Sequence, residues 1–147
     1  QSGRVQQFTL AHKVSGTLLA SKHENSISYD RSIDVAISDE RSKNILIIVD
    51  AVSRKYFTSE TSWLWDIDFE KLNQENINRI MLSGAYAYDL ATRFSYTYIP
   101  EGKIEICENI SEAVQRLEQN DNYLYTITCF SDMNKFLVLT DDGGIKV

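Results

Sequence analysis

Asn44-Ile-Leu-Ile-Ile-Val-Asp50 decides the fold, because Ile45 to Val49 are five aliphatic residues in a row with polar residues at both ends. Side chains of a strand alternate between its two faces, so a run without a polar position belongs to a strand covered on both sides, as in parallel sheets flanked by helices. Outward from it, Gly16 to Ala20, Arg79 to Ser83, Ile104 to Cys107 and Tyr123 to Thr128 are further apolar runs of strand length. Segments of helical period separate them, and such alternation is the pattern of repeated β-α units. The expected fold class is therefore α/β, three layers around a mostly parallel sheet.

The intervening helices have readable faces. Ala87, Leu90, Ala91 and Phe94 fall at i, i+3, i+4 and i+7, as do Ile110, Ala113, Val114 and Leu117. Asn109 stands at the N-cap position of the second, with Glu112 three residues on, which predicts a capping box. A last helix is predicted from about Ser131 with Met133, Phe136 and Leu137 inward, and a poorer one over 26–38 with Ile33, Ala36 and Ile37 inward.

With 147 residues, 43% of them hydrophobic, 24% charged and only one proline, the chain is expected to form a single domain spanning 1–147 around one core. It opens on Gln1 rather than Met, so a piece of a longer protein is expected. A net charge of −6 lacks the basic footprint that nucleic acids and anionic membranes require, and no apolar run reaches the length of a transmembrane segment. Cys107 and Cys129 lie far apart and form no C-x-x-C pair, which fits a reducing compartment, with a cytoplasmic location as the expectation.

In open α/β sheets, ligands and reactive groups gather outside the carboxyl ends of the strands. The loops there hold Lys22, His23, Asn25, Asp50, Glu60, Ser83 and Cys129. His23 has no second histidine near it in the chain, so no metal site is predicted, and Cys129 reads most simply as a small buried residue. No G-x-x-x-x-G-K-[ST] phosphate loop occurs, and no G-x-G-x-x-G follows a predicted strand, which disfavours a free-standing nucleotide binder. Asp89 and Arg93, four apart on one helix, are expected to form a surface ion pair.

The most unusual composition lies in Ser62-Trp-Leu-Trp-Asp-Ile-Asp-Phe-Glu70, where two tryptophans interleave with carboxylates. Trp63 and Trp65 carry large apolar bodies with one N–H each and read as anchors to a core or an interface. Asp66 and Asp68 read as caps of a helix beginning near Phe69, or as groups that tie down the loop. This segment resembles the signature of the C-terminal domain of the MurT family, the Mur-ligase-like subunit that works with the glutaminase GatD. The resemblance continues in Gly3-Arg4-Val5-Gln6, loosely in Leu19-Ala-Ser-Lys-His23-Glu-Asn25, in Ser83-Gly-Ala-Tyr-Ala-Tyr-Asp89-Leu-Ala-Thr-Arg93, and in Tyr123 to Lys135. It departs in the loop ahead of Ser62, which reads Asp50-Ala-Val-Ser-Arg-Lys-Tyr-Phe-Thr-Ser-Glu60-Thr61 and lacks the family's Asp-Gly turn.

The resemblance implies a Rossmann-like domain like the C-terminal domain of Mur ligases. It also implies a role in a glutamine-hydrolysing, ATP-dependent ligase that amidates the D-glutamate of lipid II during peptidoglycan synthesis. ATP and Mg are then expected on a central domain of the parent protein, with no cofactor on this one and no turnover by this domain alone. A GatD-like glutaminase is the implied partner, and a carboxylate of this domain would complete its Cys-His pair, for which Glu60 and Asp50 are the candidates. His23, Asn25, Trp63, Trp65, Asp66 and Asp68 are the candidate substrate- or partner-binding residues. The rival expectation is a non-catalytic interaction module that keeps the fold but has lost that carboxylate, with the altered loop from Asp50 to Thr61 as its support.

Overall fold

The computed structural model describes residues 3–22, 25–51, 61–119 and 122–141. Six strands form one sheet: β1 (Gly3–Thr9), β2 (Ser15–Ser21), β3 (Lys43–Ile48), β4 (Ile77–Ser83), β5 (Ile104–Cys107) and β6 (Tyr123–Cys129). Their spatial order is β1-β2-β6-β3-β4-β5, and every pairing is parallel except β1 with β2. Among the described residues, four α-helices accompany the sheet: α1 (Ser26–Ser38), α2 (Ala87–Phe94), α3 (Ile110–Glu118) and α4 (Phe130–Leu137). Strand ends differ from the sequence reading by one or two residues; β3 stops at Ile48, so Asp50 has already left it, and α4 begins at Phe130 rather than Ser131.

The apolar run that predicts β3 does divide between two faces. Ile45, Ile47 and Val49 join a core with Tyr29, Ile33 and Ala36 of α1 and Leu90 and Phe94 of α2. Leu46 and Ile48 join a second core with Ala113, Val114 and Leu117 of α3 and Phe136 and Leu137 of α4. The layers are thus α1 with α2, the sheet, and α3 with α4. All six residues of β3 are buried, as a strand covered on both sides must be.

Ahead of β4, the described residues 61–76 form two short 3₁₀ turns, Ser62–Asp66 and Phe69–Leu72, whose Leu64, Phe69 and Leu72 enter the first core. Asp68 precedes the second turn without capping it, and its backbone N–H instead donates to Asp30 of α1 at 2.9 Å. The cap reading of Asp68 is corrected: a 3₁₀ turn this short is seated by its apolar side chains. At α3 half of the capping box forms, since the Glu112 N–H donates to Asn109 at 2.8 Å while the Glu112 carboxylate pairs with Arg116.

Candidate functional site

Chain direction fixes where the site lies. β3 is followed by turns on the α1/α2 face, whereas β6 is followed by α4 on the opposite face, so the connections leaving these adjacent strands part company. A crevice at such a switch point is where open α/β sheets bind ligands. Here Asp50, leaving β3, meets Asp132 and Lys135 of α4.

The contacts between them are dense. Asp132 is completely buried; its Oδ2 accepts the Asp50 N–H at 2.9 Å and its Oδ1 accepts the Ala51 N–H at 3.0 Å. Lys135 Nζ donates to Asp50 Oδ2 at 2.6 Å and to Asp132 Oδ1 at 3.1 Å. The other Asp50 oxygen accepts the Ala85 N–H at 2.7 Å. That amide follows Gly84, whose φ of 97° suits glycine, and whose missing Cβ would lie 2.4 Å from the Val49 carbonyl oxygen. Burial pushes the Asp50 carboxyl upward, but Lys135 and the Ala85 N–H outweigh it and hold the group below its usual range. Burial likewise disfavours charged Lys135, and its two carboxylate partners raise it above the ordinary lysine value. The Asp50 side chain keeps 28% of its surface open to solvent.

Of the residues singled out in the sequence, Asp50 sits in this cluster and Cys129 at its margin, with Cys129 Sγ 3.0 Å from Ser131 Oγ and 3.9 Å from Asp132 Oδ2. Asn25 serves as N-cap of α1, accepting the Ser28 N–H at 2.9 Å. His23 and Glu60 lie outside the described residues.

The tryptophan-carboxylate segment forms a separate surface against α1 and the end of α2. Trp63 is half-buried with its ring 5.2 Å from that of Tyr29, and Trp65, 46% exposed, meets Tyr96 edge-on at 5.0 Å. Asp66 and Asp68 are exposed beside them.

Asp89 and Arg93 do not pair as expected. Arg93 is only 5% exposed; it donates to the Glu70 carboxylate at 2.8 and 3.2 Å and to the Ile67 carbonyl at 2.7 Å, while Asp89 accepts the Thr61 hydroxyl. Arg93 thereby ties both 3₁₀ turns to α2, and it lowers the carboxyl of Glu70 in doing so. A helix-spacing rule could not see this, because Glu70 is 23 residues away in sequence.

Sequence reading also passed over Asp132 and Lys135. The available signal was a carboxylate at Asp132 one turn ahead of Phe136, on the buried face of an amphipathic helix. A charge in such a stripe needs partners.

A mostly parallel sheet between two helical layers, delivering polar groups to its carboxyl edge where the connections diverge, defines a Rossmann-like α/β domain. The sequence narrows this further: the profile of the MurT ligase C-terminal domain matches residues 23–133, and the chain belongs to that family. Over 78 residues it is 30% identical to the lipid II isoglutaminyl synthase (glutamine-hydrolyzing) subunit MurT of Streptococcus pneumoniae (strain ATCC BAA-255 / R6), a match covering 52% of this chain and 17% of that protein. The chain therefore spans under a fifth of the curated relative it matches. Among solved structures it is similar to a domain described as from a UDP-N-acetylmuramate:L-alanyl-gamma-D-glutamyl-diaminopimelate ligase of Haemophilus ducreyi 35000HP. The TM-score is 0.45 at 12% identity, with 84% of this chain and 89% of that one covered. No helix among the described residues is long and apolar enough to cross a membrane.

Proposed function

We propose that this chain is the C-terminal domain of a Mur-ligase-like, ATP-dependent glutamine amidotransferase subunit that amidates the D-glutamate of lipid II and docks a GatD-like glutaminase. Family membership and the glutamine-hydrolysing relative support the reading. The observation that carries it is Asp50: an ionised carboxylate at the switch point, fixed on both oxygens yet partly open to solvent. Such a group can receive the N–H of an imidazole on a docked protein, orienting the ring so that its other nitrogen can take a thiol proton. ATP and Mg belong to another domain of the parent in this reading, since the chain has no phosphate loop. Localisation of such an enzyme would be cytoplasmic.

Lys135 favours a second reading, because it already neutralises the Asp50 carboxylate at 2.6 Å. If that ion pair replaces the histidine contact, the domain is an interaction module without a catalytic carboxylate.

Glutamine hydrolysis by the co-expressed parent complex separates the two. Asp50→Ala or Glu60→Ala, with partner binding intact, is expected to lower turnover by about a hundredfold or more if that carboxylate orients the histidine. Wild-type turnover in both variants, or no glutaminase partner, would establish the interaction module.

A further inference from the structure

Asp50 is held at three points, its own N–H and its two carboxylate oxygens, and two of them depend on side chains with no other evident task. Beyond Val49 the chain leaves the ladder, so the N–H groups of Asp50 and Ala51 lose their strand partners; the fully buried Asp132 carboxylate accepts both. One turn further along α4, Lys135 spans the Asp132 and Asp50 carboxylates at 3.1 and 2.6 Å. The segments that follow β3, β4 and β6 are thereby locked to one another through Asp50, Ala85 and Asp132. Turning the Asp50 side chain would break a charge-assisted bond to Lys135 and a short bond from a backbone amide together. A carboxylate oxygen has two acceptor directions, so one per oxygen remains available to a donor arriving from solvent.

We propose that Asp132 and Lys135 are positioning residues that hold Asp50 as the carboxylate that receives an imidazole N–H from the docked glutaminase. This rests on the amidotransferase reading of the same site. Lys135 then assists the site: it fixes the carboxylate's orientation and keeps it ionised, while the incoming ring takes a free lone pair.

The test uses the full-length parent co-expressed with its glutaminase and compares Lys135→Met, Lys135→Arg and Asp132→Asn with Asp50→Asn as the reference, after confirming that each complex assembles. Lys135→Met is expected to lower kcat for glutamine hydrolysis by about 10- to 100-fold with KM changed by no more than about twofold, and to move the acid limb of the pH profile upward. Lys135→Arg, which restores the charge, should recover much of the loss. Lys135 is partly exposed, so these variants keep the fold even if Asp132→Asn does not.

Unchanged kcat and pH profile in Lys135→Met, beside an inactive Asp50→Asn, would overturn the positioning role while leaving the amidotransferase reading intact. A wild-type complex without glutaminase activity would instead defeat that reading, and with it the assignment of an imidazole to Asp50. The clamp is then judged separately, by carboxyl NMR titration of Asp50 and amide exchange at Ala51 and Ala85 in the present chain. A higher Asp50 midpoint in Lys135→Met and faster exchange at Ala51 in Asp132→Asn support it; no change in either measurement overturns it.

Discussion

The two ends of the sheet carry clusters of the same chemistry arranged to different effect. At the carboxyl end, Asp132 and Asp50 take up backbone N–H groups of the connecting segments, and Lys135 joins the two carboxylates. At the amino end, Asp39 is gripped by Arg41 and by the Tyr125 hydroxyl at 2.6 Å, Arg41 lies 3.7 Å over the Tyr123 ring, and the Tyr123 hydroxyl reaches Gln7 and Thr17. The first cluster fixes main chain that leads to other places, whereas the second mostly joins side chains to one another. The second also leaves Lys43 fully buried with its amine unpaired among the described residues, while every polar group of Asp50, Asp132 and Lys135 shown in the first has a partner. Polar groups that organise loops are a setting for function, and polar groups that cross-link strand ends are a setting for stability.

Asp132→Ala should produce the largest effect. It strands two backbone donors in a buried place and removes one partner of Lys135, which predicts a loss of about 3 to 5 kcal/mol in urea unfolding. A loss below about 1 kcal/mol would show that water replaces the carboxylate, and the contrast between the two ends would shrink accordingly.

Lys43→Met should act in the opposite direction. Burial depresses the amine's pKa, no acceptor among the described residues reaches it, and methionine fills nearly the same unbranched volume. A gain of about 1 to 3 kcal/mol is expected at neutral pH, read as a higher unfolding midpoint in urea. Destabilisation instead would mean that the amine has a partner, and the amino end would then be as fully satisfied as the carboxyl end.

These two residues also mark what sequence can convey. β3 was legible because five aliphatic residues admit one environment, and the bounds of α1 were legible to the residue, although its cap, Asn25, was read as a candidate binding residue. Asp50 was legible as a site candidate because a polar residue that ends a buried strand lies at the sheet's edge. Asp132, Lys135 and the Arg93–Glu70 pair were not, since each depends on a partner 23 to 85 residues away, and local spacing rules reach only one helical turn. The helix expected near Phe69 is a single 3₁₀ turn, and the 3₁₀ turn at Ser62–Asp66 was missed, for a related reason. Their apolar residues make no stripe longer than one turn, and tertiary packing with Arg93 decides their form.

Tyr125→Phe sharpens the comparison through pH. The hydroxyl's bond to Asp39 is expected to contribute about 1 to 2 kcal/mol, as hydrogen bonds to charged groups do. Arg41 holds the Asp39 carboxyl well below the usual range, against burial and with help from Tyr125; burial and then Asp39 push the Tyr125 phenol above its own. A depressed carboxylate stabilises the fold above its unfolded pKa of about 4 and loses that contribution as pH falls through the folded value. A raised phenol stabilises the fold below its unfolded pKa of about 10 and loses that contribution as pH rises through the folded value. Tyr125→Phe should therefore flatten the alkaline decline in stability and leave the acid decline reduced but present, because Arg41 still acts on Asp39. An alkaline decline of unchanged size would assign it to the lysines instead.

Arg41→Gln should give the smallest effect, and it tests whether cross-linking side chains at the amino end is cooperative. The guanidinium is more than half exposed, with its bonds to Asp39 and its ring contact with Tyr123 both at the rim of the sheet. Solvent screening reduces such a pair to a few tenths of a kcal/mol, with a cation–π contact adding about 0.5 at most. If Arg41→Gln and Tyr125→Phe add in the double variant, the amino end is a set of independent contacts around Asp39. A double variant that loses clearly more or less than the sum would show that Asp39 couples them. In that case the amino end is a network like the one around Asp50, and what separates the two ends is that the carboxyl end fastens amides of the segments that follow both β3 and β4, whereas Asp39 takes the amide of Arg41, two residues along its own segment.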